Sequence, residues 1–105
     1  MRKYTLNQWK GRMGSKNGFS LDQPIKHDNK ASIAHIHIFR EDILPDSKAT
    51  KATYVVRIEI YPTDSNRVCG AELEDFWVSF DRVEAAFNYL FENNYCTKDE
   101  VLKEE

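Results

Sequence analysis

The chain has 105 residues, 41% of them hydrophobic and 30% charged, with 15 Lys and Arg against 17 Asp and Glu for a net charge of −2. That composition excludes wholesale disorder, the length allows one domain and no second, and no apolar run reaches the ~18 residues of a membrane-spanning helix. Two cysteines, Cys69 and Cys96, are too few for a disulfide framework, and the polar amino terminus is not a signal peptide, so a cytoplasmic protein with free thiols is expected.

Thr5 and Gln8 match a capping box, and Leu6, Trp9 and Met13 share one stripe behind it, which predicts a short first helix. Gly11, Gly14 and Gly18 stop that helix early, and residues 14–31, punctuated by Pro24, read as loop. Ile33 to Arg40 alternates as a strand, with Ala34, Ile36 and Ile38 on one face and Ile33, His35, His37 and Phe39 on the other. Thr53 to Tyr61 alternates as well, with Tyr54, Val56, Ile58 and Ile60 opposite Thr53, Val55, Arg57, Glu59 and Tyr61. Pairing the two as an antiparallel hairpin leaves residues 41–52, with Pro45, Asp46, Ser47, Lys48 and Lys51, as a long exposed excursion.

Pro62 to Asn66 is a turn. Arg67 to Phe80 reads as a strand whose inward parity switches near Glu74, implying a bulge or break before Phe76, Val78 and Phe80. Asp81 and Glu84 form a second capping box for a helix over 82–94 with Val83, Ala86, Phe87, Leu90 and Asn94 on its inner stripe. Asn93 and Asn94 end it, and Thr97 with Glu100 starts a short turn of helix in an otherwise frayed acidic tail. The expected architecture is a single α+β domain over 1–105. A basic helix and loop over 1–31 precedes a core over 32–95, in which one helix crosses a small three-stranded, mainly antiparallel sheet, and an acidic tail follows over 96–105. Its core is Ala34, Ile36, Ile38, Tyr54, Val56, Ile58, Ile60, Phe76, Val78, Phe80, Val83, Phe87 and Leu90, with Trp9 docking from outside.

Charge is unevenly spread. Residues 1–30 hold seven cations against two acids, a net of +5, whereas residues 71–105 hold ten acids against three cations, a net of −7. Such asymmetry steers a protein toward a charged partner without naming it. In the basic segment Lys10, Arg12, Lys16, Lys26 and Lys30 interleave with Tyr4, Trp9 and Phe19, a composition that could grip phosphates and stack bases. The acidic residues Glu72, Glu74, Asp75, Asp81, Glu84 and Glu92 could equally occupy a basic groove that normally holds nucleic acid.

His35 and His37 project from one strand face, the spacing by which a sheet offers two imidazoles to a metal, but no third ligand stands at a recognisable spacing. His27, Cys69, Glu59 or Cys96 would have to be brought in by folding. The bland alternative is a pair of imidazoles on the wetter face of a half-buried sheet. That face also carries Phe39, Arg57, Glu59 and Tyr61, a mixture found at interface hot spots. No nucleophile elbow, activated thiol or paired acid and base is present, so neither catalysis nor a cofactor is expected.

In size, separated charge and absence of catalytic motifs the chain resembles the small anti-CRISPR-type inhibitors that phages and mobile elements direct against host defence nucleases. The resemblance is carried by no motif and transfers no residue. It implies a protein that blocks a nucleic-acid-handling enzyme by stoichiometric contact. The candidate contacts come from the chain's own charge and strand pattern: Lys10, Arg12 and Lys16 of the basic segment, His35, His37, Phe39, Arg57, Glu59 and Tyr61 of the strand face, or the acidic helix. The alternatives are direct nucleic-acid binding by the basic segment and a metal-dependent enzyme on His35 and His37; a membrane is not an expected partner.

Overall fold

The computed structural model describes residues 3–13, 18–41, 53–63 and 72–104. Seven elements follow one another: α1 (Leu6–Arg12), β1 (Phe19–His27), β2 (Lys30–Glu41), β3 (Thr53–Pro62), β4 (Glu74–Phe80), α2 (Val83–Glu92) and α3 (Lys98–Val101). The strands form one antiparallel meander in the order β1-β2-β3-β4. The α+β class stands, but the sheet has four strands where the sequence suggested three, Glu41 ends β2 in place of opening the long excursion, and residues 42–52 and Lys16 lie outside the described residues.

Of the expected loop over 14–31, residues 14–17 lie outside the described residues, and the extra strand corrects the reading over 19–31. Phe19, Leu21 and Ile25 alternate inward against Ser20, Asp22, Pro24 and Lys26, a period-2 pattern obscured by its polar content and by the proline. Pro24 is tolerated because β1 is an edge strand and has no second neighbour to lose a hydrogen bond to. Asp28 and Asn29 both take positive φ, 50° and 64°, and so make the two-residue turn that matches strand twist. Gly18 admits the chain to this strand, since a Cβ there would stand 2.1 Å from the Ile38 carbonyl oxygen.

One sheet face is covered by helices. Ala34, Ile36, Ile38, Tyr54, Val56, Ile58 and Ile60 meet Val83, Ala86, Phe87 and Leu90 of α2, and all are buried. Phe76, Val78 and Phe80 share that parity but are only half-buried, because β4 is the other edge. Trp9 and Met13 belong to the same core instead of leaning on it from outside. The Trp9 ring meets Phe19 edge-on at 5.3 Å and lies 6.3 Å from Phe87, and its indole N–H donates to the Val101 carbonyl.

Helix boundaries follow local chemistry. In α1 the Thr5 hydroxyl accepts from the Gln8 amide at 3.2 Å while the Gln8 side chain accepts from the Thr5 amide at 3.0 Å, as the capping box requires. The box expected from Asp81 does not form. Arg82 is the N-cap in extended conformation and α2 starts at Val83, which sets Asp81 one residue too far from the free amides. Glu84 still lies in the first turn, where the helix dipole favours a carboxylate. Asn94, at φ 60°, closes α2 in left-handed conformation, with Tyr95 and Asn94 amides donating to the Leu90 and Phe91 carbonyls. The expected frayed tail is also corrected: Val101 and Cys96 are buried, Leu102 bridges Tyr4, and the Lys103 amide donates to the Tyr4 carbonyl at 2.9 Å. Among the described residues no helix is long and apolar enough to cross a membrane.

Candidate functional site

The opposite face of the sheet carries no helix among the described residues. Strand register sets its side chains in rows. One row runs Ser20, His37, Arg57, Trp77, and the next runs Asp22, His35, Glu59, Asp75. Phe39, Val55 and Ser79 form a third. The structure therefore brings His35, His37, Phe39, Arg57, Glu59 and Tyr61 onto one face, as their parity required once β2 and β3 paired, with Tyr61 itself buried.

Side chains on the face are held by one another. The Arg57 guanidinium donates twice to Asp75, from Nε to Oδ1 at 3.1 Å and from Nη2 to Oδ2 at 2.9 Å, and its Nε lies 3.8 Å from Glu59. This contact keeps the Asp75 carboxyl below its usual range and raises Arg57. Tyr61 donates its hydroxyl to Glu59 Oε2 at 2.5 Å, and that hydrogen bond, with burial added, pushes the phenol up to about 12. His35 Nδ1 lies 2.6 Å from Asp22 Oδ1. His37, packed 5.3 Å from the Phe39 ring, is shifted below 6.5 mainly by burial, with His35 and Arg57 adding to it and Glu59 opposing. Exposed ion pairs contribute little stability, so the network's main effect is to fix rotamers on an open surface before anything binds.

On this face, at the middle of the edge strand β4, stands Trp77, 66% exposed. It borders a shallow groove of about 640 Å³ lined by His37, Phe39, Glu41, Val55, Arg57 and Ser79. The sequence pattern contains this residue, since inward Phe76, Val78 and Phe80 require Trp77 to point out. Asp22 carries no such signal, because Pro24 masks the alternation of β1.

His35 and His37 gather no third ligand among the described residues. The carboxylates that do converge are Glu59, Glu72 and Asp75, whose oxygens lie within 4.8 Å of one another, and two of them already face Arg57. Lys10 and Arg12 are not brought to this face. They sit on α1, in the helical layer, where Arg12 lies 4.4 Å over the Tyr4 ring. Cys96 is buried, and its thiol is pushed up to about 11 by that burial, the opposite of an activated nucleophile.

No protein-family model, curated protein or solved structure matches this chain.

Proposed function

We propose that the chain is a non-catalytic binding protein that docks a protein partner on the open face of its sheet and acts as a stoichiometric inhibitor of a nucleic-acid-handling enzyme. The observation that carries this reading is Trp77: a largely exposed indole on a preorganised aromatic and ionic surface has the composition of an interface hot spot. The sign of the face supports the choice of partner. By register it holds Asp22, Glu41, Glu59 and Asp75 against Lys26 and Arg57, a balance that repels phosphates and suits a basic groove.

Direct nucleic-acid binding through the basic segment is the weaker reading on one observation. Trp9 and Phe19, two of the three aromatics expected to stack bases, are core residues and offer no face to a ligand.

Affinity capture from the native host with wild type, Trp77→Ala and the Lys10→Ala/Arg12→Ala pair tests the two readings together. Loss of a captured nuclease with Trp77→Ala alone, and inhibition that saturates at one equivalent, is the expected result. Retained capture with Trp77→Ala, together with oligonucleotide binding that weakens steeply with salt and vanishes in the double variant, sinks it.

A further inference from the structure

We propose that the outer edge of β4 accepts an extended, arginine- or lysine-bearing peptide segment as a fifth strand, with one cationic side chain laid over the Trp77 indole. This rests on reading the open face as the docking surface and names the chemistry of what docks there.

The two edges of the sheet are unlike. Exposed edges are usually blunted by proline, lysine or a bulge, because unpaired amides and carbonyls otherwise template another strand. β1 carries Pro24 and Lys26. β4, the seven residues Glu74 to Phe80, contains no proline, lysine or arginine, and among the described residues no strand pairs with its outer side, the Glu74 carboxylate at its start meeting His27 at 3.7 Å. Of the two edges, β4 is the one fit to receive a strand.

Side chains beside that edge select a cation. Trp77 sits at the middle of β4, and an exposed indole is the best aromatic partner for a guanidinium or ammonium. Glu41 lines the adjoining groove. At the start of the strand Glu59, Glu72 and Asp75 converge, and the Arg57 guanidinium faces Glu59 and Asp75, leaving an excess of negative charge that an incoming cation relieves and an incoming carboxylate worsens. Strand addition supplies main-chain hydrogen bonds, while alternate side chains meet these groups. The favoured segment therefore alternates basic with apolar residues.

Titrating the full chain with a short peptide alternating Arg and Val tests the proposal, with a Glu-for-Arg peptide and a centrally proline-interrupted peptide as comparisons. Readouts are tryptophan emission, whose solvent-exposed component is Trp77 because Trp9 is buried, and amide hydrogen exchange of β4. The Arg/Val peptide is expected to shift that emission to the blue and protect β4. Trp77→Ala, a surface change that leaves the core intact, or the proline interruption should weaken binding about tenfold. Equal binding of the Glu peptide, protection of β1 in place of β4, self-association of the chain through β4, or no binding by the Arg/Val peptide each overturns it. If Trp77→Ala also abolishes nuclease capture while the Arg/Val peptide leaves β4 unprotected, the docking face stands and strand addition falls.

Discussion

His37 and Tyr61 occupy one sheet face, yet their surroundings move their proton affinities in opposite directions. Burial holds His37 below 6.5, so as pH falls through that value the unfolded chain takes up a proton that the folded one refuses. Stability is therefore lost on the acid side, and His37→Gln should flatten the slope of unfolding free energy between about pH 7 and pH 5, measured by urea titration. Tyr61 behaves inversely. Its hydrogen bond to Glu59 keeps the phenol protonated in the folded state up to about 12, while the unfolded chain releases the proton near 10. The stability this contributes is present below pH 10 and is lost as pH rises toward 12. Tyr61→Phe should be less stable at neutral pH and should lack that alkaline decline, read by the same titration.

At the level of elements, two turns are made by residues other than glycine in a conformation that favours glycine. Asp28 and Asn29 reverse the chain between β1 and β2, and Asn94 ends α2. Left-handed backbone costs an ordinary L-residue about 1 to 2 kcal/mol, less for Asn and Asp, whose side chains bond locally. Asn94→Ala should then lower the unfolding free energy by about 1 kcal/mol, and Asn94→Gly should leave it equal or higher. Thermal unfolding followed by far-ultraviolet circular dichroism decides between these signs, and an Ala variant as stable as wild type removes the argument. β1 was obscured because Pro24 reads as punctuation, whereas on an edge strand it costs nothing. The pattern in β2 and β3 was legible because both carry dense β-branched residues in strict alternation.

Across the whole molecule, the amino-terminal segment and the carboxy-terminal tail, far apart along the chain, meet in space through hydrogen bonds. The Lys3 ammonium donates to the Asp99 carbonyl at 3.0 Å, Gln23 donates to Glu100 at 3.0 Å, and Tyr4 bridges Leu102. Donation from Gln23, followed by Thr97, lowers the Glu100 carboxyl. His27, beside the β1–β2 turn, also lies within 3.7 Å of Glu74 on the far edge strand. The tail is thus a structural part. Removing residues 96–105 uncovers the site of fully buried Val101 and strips Trp9 of its acceptor, a loss of about 3 to 6 kcal/mol. Against a typical total of about 5 to 15 kcal/mol, the truncated chain should be marginal, with a midpoint in urea far below wild type. A truncated chain with an unchanged midpoint would show that the clasp between the chain ends contributes nothing.

By itself the sequence determined the α+β class, the inward parity of β2, β3, β4 and α2, and the gathering of His35, His37, Phe39, Arg57, Glu59 and Tyr61 on one face. These follow from local periodicity, which any pairing of the strands must respect. Tertiary structure alone decided that β1 is a strand, that Trp9 and Val101 close the core from the two chain ends, that Lys10 and Arg12 stand in the helical layer, and that Trp77 flanks the groove on the open face. Each of these depends on which distant segment supplies the other wall, and hydrophobic burial, being non-directional, leaves no mark of that choice in the order of the residues.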